Sequence, residues 1–159
     1  MNTPRLLLVD DEELYVRGLS RELSNLGWQI QTADNTESAL RALRQSEFDA
    51  LVLDVQMPGP SGVSLLAELD QVLARPVAVL LSGYLSVETT VRAIQQGADD
   101  VLEKPVSARA LDARLRALLA ARTSRPRAGV ATRELRKVLG ETPGMRAARE
   151  QMQTAARYP

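Results

Sequence analysis

Short strand-like runs alternate with longer stretches of helical periodicity along the first 122 residues. The strand-like runs lie at residues 5–9, 28–33, 49–54, 77–81 and 99–102, and the stretches of helical period lie at about 12–25, 36–46, 62–73, 86–96 and 107–122. Five alternations of strand and helix predict a doubly wound parallel sheet with helices on both faces. Three of the runs, at 5–9, 49–53 and 77–81, are almost wholly apolar, which is typical of central strands buried on both sides.

Polar residues and glycines mark the expected ends of the helices. Asn35 or Thr36, Ser86 and Ser107 precede helical stretches and are suitable N-cap residues. Gly27 and Gly97 fall where two helices should end.

Charged side chains follow three of the apolar runs. Asp10 and Asp11 end the first run, Asp54 ends the third, and Lys104 follows the fifth. If these runs are neighbouring parallel strands, their carboxyl ends bring the four side chains into one crevice, which is where ligands bind in open α/β sheets. Clustered carboxylates repel each other unless a hard cation lies among them, and Mg²⁺ with oxygen ligands is the expected cation. A cation beside a lysine suits a transferred phosphoryl group.

The composition excludes several kinds of chemistry. The chain has neither cysteine nor histidine, so disulfides, thiol catalysis, histidine acid–base catalysis and imidazole metal sites are excluded. We find no signal peptide and no apolar stretch near the roughly 20 residues that cross a bilayer. These features favour a cytoplasmic location and no membrane partner.

A net charge of zero conceals two oppositely charged parts. Residues 1–106 hold sixteen acidic and eight basic side chains, whereas residues 107–159 hold four acidic and twelve basic ones. The arginines of the second part alternate with Leu and Ala at helical spacing, which indicates a solvated helix face. Direct binding of nucleic acid by this chain is therefore not expected.

The alternating pattern stops after Arg122. Residues 123–129, rich in Arg, Pro and Gly, predict a linker, which we extend to residue 137. Thr142 and Pro143 are typical of a helix start, and a helix is expected over about 143–157.

Residues 4–121 resemble the receiver domain of bacterial two-component response regulators, the CheY-like family. The matching segments are Val9-Asp10-Asp11, Leu53 to Gly59, Leu81-Ser82-Gly83-Tyr84 and Glu103-Lys104-Pro105. The resemblance implies a flavodoxin-like five-stranded sheet of order 2-1-3-4-5 and a receiver domain over residues 1–122.

The resemblance also implies a role for each site residue. Asp54 would be the nucleophile that accepts a phosphoryl group from a sensor histidine kinase. Asp10, Asp11 and Asp54 would bind Mg²⁺ together with the backbone carbonyl of Gln56. Lys104 would neutralise a phosphoryl oxygen, and the hydroxyl of Ser82 would sense it. Such a protein is a phosphoacceptor and not an enzyme in the usual sense.

Two positions depart from the family pattern. Family members often carry Tyr or Phe three residues before the lysine, where this chain has Val101. Tyr84, on the loop after the fourth strand, is a candidate substitute in the switch. Gln56 lies two residues past the acceptor, where it can either bind or block an attacking water.

A second resemblance covers the last part of the chain. Residues 138–145 are similar to the opening of the AAA+ ATPase domain of NtrC-type regulators, which activate transcription with sigma-54 RNA polymerase. No phosphate-binding G-x-x-x-x-G-K-[ST] loop is present, so residues 138–159 are interpreted as the first fragment of such a domain. The implied partners are the missing AAA+ and DNA-binding domains, sigma-54 RNA polymerase and a second copy of the chain.

Three other interpretations remain open. A phosphatase with an aspartyl-phosphate intermediate would need a second acid at position 56, where the chain has Gln. A stand-alone single-domain regulator would act by binding a protein partner. A degenerate receiver would bind partners without phosphorylation.

Overall fold

The computed structural model describes residues 2–59, 62–72 and 74–124. Strands and helices alternate along these residues, and a short 3₁₀ turn at Leu69–Gln71 is the one addition to the predicted set. The elements are β1 Arg5–Val9, α1 Glu13–Asn25, β2 Gln29–Ala33, α2 Thr36–Gln45, β3 Ala50–Asp54, α3 Gly62–Glu68, β4 Val77–Ser82, α4 Val87–Gln95, β5 Asp100–Glu103 and α5 Ala108–Ser124.

All the strands lie in one parallel sheet of order β2-β1-β3-β4-β5, which confirms the predicted architecture. Every residue of β3 and β4 is buried, as expected for central strands. Alternate side chains of the sheet contribute to two hydrophobic clusters. One cluster includes Leu51 and Leu53 together with buried residues of α2, α3 and α4, and the other includes Val52 together with buried residues of α1 and α5. Helices therefore cover both faces.

The expected helix ends are confirmed. Asn35 accepts a hydrogen bond from the backbone N–H of Ser38, and Ser86 and Ser107 cap α4 and α5 in the same manner. Gly27 and Gly97 have φ angles of 99° and 109°, which glycine adopts without the steric cost of a Cβ atom.

The observed order places β4 between β3 and β5, as the order implied by the family resemblance does, so the three runs with charged ends are not all neighbours. Lys104 must therefore reach across the end of β4 to approach Asp54. The helix predicted over 62–73 is α-helical only to Glu68. The chain continues beyond Glu68 as the 3₁₀ turn Leu69–Gln71, so the helical stretch ends two residues before the predicted bound.

A polar contact joins α5 to the start of β2. The indole Nε1–H of Trp28 donates to Asp112 Oδ1 at 2.7 Å. Arg116 pairs with the same carboxylate at 2.6 Å, and its guanidinium lies 5.4 Å from the centre of the Trp28 ring. These contacts fix one end of the Trp28 side chain, which is 3% exposed.

The chain divides into two units, residues 1–120 and 121–159, and residues 121–124 are the described part of the second. The predicted linker at 123–137 falls almost wholly outside the described residues, and the predicted AAA+ fragment at 138–159 falls wholly outside them. None of the helices described is both long enough and apolar enough to cross a membrane.

Candidate functional site

Three carboxylates meet at the carboxyl ends of β1 and β3. Asp10, Asp11 and Asp54 each place one carboxylate oxygen within 4.8 Å of the other two. Asp10 and Asp54 are each 3% exposed, whereas Asp11 is exposed. Oxygen ligands at this spacing fit a hard divalent cation such as Mg²⁺, which would also relieve the repulsion among the carboxylates. The predicted cluster is therefore brought together by the fold.

The two buried carboxylates are held in the same manner. Asp10 Oδ1 accepts a hydrogen bond from the backbone N–H of Glu12 at 2.9 Å, and Asp54 Oδ1 accepts one from the N–H of Gln56 at 3.0 Å. Each contact joins a side chain to the backbone two residues later, which is a local turn that aspartate favours. Both turns fix the Oδ1 atoms, so the Oδ2 atoms remain for other partners.

Lys104 lies between these two Oδ2 atoms. Its Nζ donates to Asp10 Oδ2 at 2.5 Å and lies 3.2 Å from Asp54 Oδ2 and 3.9 Å from Glu12 Oε1. Burial lowers the pKa of Lys104, but the hydrogen bond and charge of Asp10, together with Asp54, outweigh burial and raise the pKa above its usual value. The side chain therefore stays positively charged at neutral pH.

An aromatic ring completes the surroundings of the lysine. Lys104 Nζ lies 4.7 Å from the centre of the Tyr15 ring, in the first turns of α1. Burial raises the pKa of the Tyr15 phenol, although the nearby charge of Lys104 opposes the shift. Neither Tyr15 nor Glu12 was predicted to belong to the site. The available signal was nearness in sequence, because both residues follow Asp11 closely, at the start of α1.

Gly62 allows α3 to begin against the end of β3. A Cβ atom at position 62 would lie 2.6 Å from the backbone carbonyl oxygen of Asp54, closer than van der Waals contact allows. Any larger residue would push α3 away from β3 or displace Asp54. Glycine at this position therefore helps to fix the backbone position of Asp54.

A cleft opens beside the cluster, with a volume of about 340 Å³. Its lining combines the charged centre with the neighbouring loops and consists of Glu12, Tyr15, Asp54, Gln56, Gly83, Lys104 and Pro105. The cleft gives a phosphoryl-sized group access to Asp54 and Lys104 at the same time.

The predicted switch residues occupy different surroundings. Ser82 ends β4, where its hydroxyl donates to the Tyr84 carbonyl at 2.7 Å and accepts from the Tyr84 N–H at 3.2 Å. The Tyr84 ring is 72% exposed, whereas Val101 is 8% exposed and packs in the cluster with Ala93. The structure thus connects Ser82 with the backbone of Tyr84 and places Val101 in the core.

Comparison with known proteins agrees with this geometry. Residues 6–116 match the family of the response regulator receiver domain. Transcriptional regulatory protein PrrA of Mycobacterium tuberculosis is 35% identical over 147 residues, which are 92% of this chain and 63% of PrrA. Transcriptional regulatory protein AfsQ1 of Streptomyces coelicolor is 34% identical over 116 residues, which are 73% of this chain and 51% of AfsQ1. The chain thus spans about half to two-thirds of the length of these curated relatives.

A solved structure has the same fold. A response regulator protein from Burkholderia pseudomallei, crystallised with a phosphorylated aspartic acid, a calcium ion and citrate, has a TM-score of 0.68 and 29% identity. The match covers 76% of this chain and 71% of that protein. With the sheet order, the carboxylate cluster and the family match in agreement, we conclude that the chain belongs to the response regulator receiver domain family.

Proposed function

We propose that Asp54 accepts a phosphoryl group from a sensor histidine kinase and that this modification controls transcription. One observation carries the proposal: the buried carboxylate of Asp54 lies 3.2 Å from the Lys104 ammonium, in the same cluster as Asp10 and Asp11, and lines a cleft. A nucleophile, a cation and a set of metal ligands thus occur together, which is the combination that phosphoryl transfer uses.

The chemistry follows from these groups. A carboxylate is ionised at neutral pH, so Asp54 can attack phosphorus without losing a proton. An oxygen of Asp54 forms the new O–P bond while the bond from phosphorus to the kinase histidine nitrogen breaks. Lys104, held by Asp10, offsets negative charge on the phosphoryl oxygens.

The carboxylate cluster is also the proposed Mg²⁺ site. Asp10, Asp11 and Asp54 would hold the ion, with the backbone carbonyl of Gln56 as a further ligand. When bound, Mg²⁺ would draw charge from the phosphoryl oxygens. The buried and hydrogen-bonded orientation of Asp10 and Asp54 supports this assignment because their ligand positions are set before any ion arrives.

The switch is proposed to act through Ser82. Its hydroxyl bonds to the Tyr84 backbone, so a new bond to a phosphoryl oxygen would change what holds the loop 82–86. Because Val101 replaces the usual aromatic residue, we propose that Tyr84 takes part of that role. The high exposure of the Tyr84 ring supports this idea, since a free ring can move inward.

The proposed output has a general part, control of transcription, and a specific part, activation with sigma-54 RNA polymerase. Similarity to named transcriptional regulators supports control of transcription. A cytoplasmic location is proposed in addition, on the basis of membership in the receiver family. A sigma-54 output, with residues 1–122 as receiver, 123–137 as linker and 138–159 as the start of an AAA+ domain, rests on the sequence of residues 138–145 alone.

A homodimer is proposed through the last strand and helix, or through residues 107–140. The neighbouring helix α4 exposes Val87, Val91 and Ile94 at helical spacing, which supports an association surface beside β5. Sedimentation with and without beryllofluoride tests this proposal, and a monomer under both conditions at high concentration would exclude it.

The acceptor is tested by intact mass after incubation with acetyl phosphate and Mg²⁺. We expect a gain of one phosphoryl group that needs Mg²⁺ and is lost in Asp54→Asn. Asp34→Asn is the matched control, because Asp34 follows the neighbouring strand β2 but lies outside the cluster. Persistence of the gain in Asp54→Asn would exclude Asp54 as the acceptor. If no gain occurs and beryllofluoride does not bind, the degenerate-receiver interpretation is favoured.

A further inference from the structure

Lys104 has four partners, and one of them is unlike the others. Asp10, Asp54 and Glu12 approach the ammonium with carboxylate oxygens at 2.5, 3.2 and 3.9 Å. The fourth partner is the face of the Tyr15 ring, whose centre is 4.7 Å from Nζ. This separation is within the range of a cation–π interaction.

Packing alone does not require an aromatic residue at position 15. Tyr15 lies against the hydrophobic cluster that includes Leu19 and Leu111, a contact that aliphatic side chains such as Val16 and Leu26 also make. Its hydroxyl is buried and makes no hydrogen bond of full geometry within the described part of the chain, although the Val106 backbone interacts with it and opposes the rise in its pKa. The comparison with Tyr15→Phe therefore separates the hydroxyl from the ring. The property that an aliphatic side chain lacks is the negative electrostatic potential of the ring face, which points at Lys104.

We propose that the Tyr15 ring is a positioning element for Lys104 during phosphoryl transfer, an inference that rests on the proposed function. The carboxylate partners of the lysine change in the reaction, because Asp54 becomes an acyl phosphate and the negative charge moves outward to the phosphoryl oxygens. The ring face is a partner that does not change. Its attraction is not directed at a single lone pair, so it tolerates displacement of the ammonium better than a hydrogen bond does.

As a consequence, the Lys104 ammonium can shift toward the phosphoryl oxygens during the reaction and still remain in the cleft. Without the ring, Lys104 would depend on Asp10 and on the more distant, exposed Glu12 once the Asp54 carboxylate is modified. Asp10 is also a proposed metal ligand, so its contact with the lysine would be shared. Tyr15 thus acts through Lys104 and need not touch the phosphoryl group.

The contact itself is tested on the unmodified protein, with no phosphoryl donor. Because Nζ lies over the ring at 4.7 Å from its centre, we expect upfield NMR shifts for the Lys104 side-chain protons next to Nζ. We expect these shifts in the wild type and in Tyr15→Phe, and their loss in Tyr15→Leu. Equal Lys104 shifts in the wild type and in Tyr15→Leu would overturn the proposal whatever the function.

Phosphoryl uptake tests the consequence, with acetyl phosphate as the donor and intact mass as the measurement. Tyr15→Leu should take up phosphoryl groups roughly 3- to 10-fold more slowly, the range that a partly shielded cation–π contact supports. Tyr15→Phe should stay within about twofold of the wild type because the ring is retained. Thermal denaturation of each variant ensures that folded proteins are compared.

A double-mutant comparison separates positioning from structure. In a Lys104→Met background the change Tyr15→Leu should cause no further loss, because the group that the ring positions is absent. A loss that persists without Lys104 would mean that Tyr15 acts on the backbone, and a loss in Tyr15→Phe equal to that in Tyr15→Leu would implicate the hydroxyl. Either result rejects the role of the ring. A wild type that takes up no phosphoryl group would instead refute the proposed function. The NMR shifts would still show whether the Tyr15 ring contacts Lys104.

Discussion

Lys104 and Arg92 both pair with acidic side chains, but in opposite surroundings. The Lys104 side chain is 15% exposed, and the side chains of its partners Asp10 and Asp54 are 1% and 3% exposed. Arg92 pairs with Glu88 at 3.1 Å within α4, where the two side chains are 65% and 83% exposed. The Arg92–Glu88 pair forms within about one turn of α4. The contacts of Lys104 with Asp10 and Asp54 form only when the ends of β1, β3 and β5 come together.

The difference shows what each pair is suited for. Charges in water gain little from pairing, so the Arg92 pair can change without consequence for the fold. Charges removed from water depend strongly on their partners, and loss of one partner leaves the other exposed to the full cost of burial. The cleft holds more negative than positive charge. At this buried position, apolar residues would be more favourable for the stability of the fold.

Replacement of Lys104 should produce the largest effect. Lys104→Met leaves buried Asp10 and Asp54 without their cation, and we expect a loss of about 3 kcal/mol in the free energy of unfolding. Urea denaturation without Mg²⁺ measures it. Arg92→Met is the matched control on the surface. A loss for Lys104→Met no larger than that of the control would remove the contrast between the two regions.

Magnesium should stabilise the cleft by a similar amount. At a Mg²⁺ concentration 100 times its dissociation constant, the free energy of unfolding should rise by about 2.7 kcal/mol, provided that only the folded protein binds. Thermal denaturation with Mg²⁺ or with a chelator measures the gain. Asp11→Asn should reduce it and Asp34→Asn should not. An undiminished gain in Asp11→Asn would place the ion elsewhere.

Alkaline pH should separate the two regions in another way. The pKa of Lys104 is raised above 10.5 in the folded protein, so the stability that its pairs contribute is complete at neutral pH and is lost as the pH rises through that raised pKa. The wild type should therefore lose stability above about pH 10.5 more steeply than Lys104→Met. Both proteins should carry Tyr15→Phe, because the pKa of Tyr15 is raised too. Parallel pH profiles would contradict the assigned pairing.

The surface pair should give the smallest effect. Glu88→Gln removes the charge from the α4 pair, and we expect a change below about 0.5 kcal/mol, which added salt should reduce further. Urea denaturation at low and high ionic strength measures the change. A loss above 1 kcal/mol would mean that α4 depends on the pair, contrary to its exposed position.

Much of the fold follows directly from the sequence. The five strands begin and end within about one residue of the predicted bounds because each apolar run is bounded by polar residues or Pro. The predicted helix ends at Gly27 and Gly97 are also correct. Both residues have positive φ angles, which favour glycine. Asp10, Asp11 and Asp54 cluster as predicted because β1 and β3 are neighbours.

Contacts across the sheet are harder to predict. Apolar runs define strands but not their order, so the position of β4 between β3 and β5 was predicted from the family resemblance and not from the pattern of residues. Tyr15 packs against the hydrophobic cluster beside α1, and only the three-dimensional structure shows that its ring also meets Lys104. The roles proposed for Ser82, Tyr84, Val101 and the Gln56 carbonyl remain predictions.

The contact between Trp28 and Asp112 has a practical consequence. Trp28 is the single tryptophan of the chain, it does not line the cleft, and its indole bonds to the first half of α5. Its fluorescence therefore reports the seating of that helix and is insensitive to direct quenching by a ligand at Asp54. The protein thus carries an intrinsic optical probe of whether an event in the cleft is felt on α5.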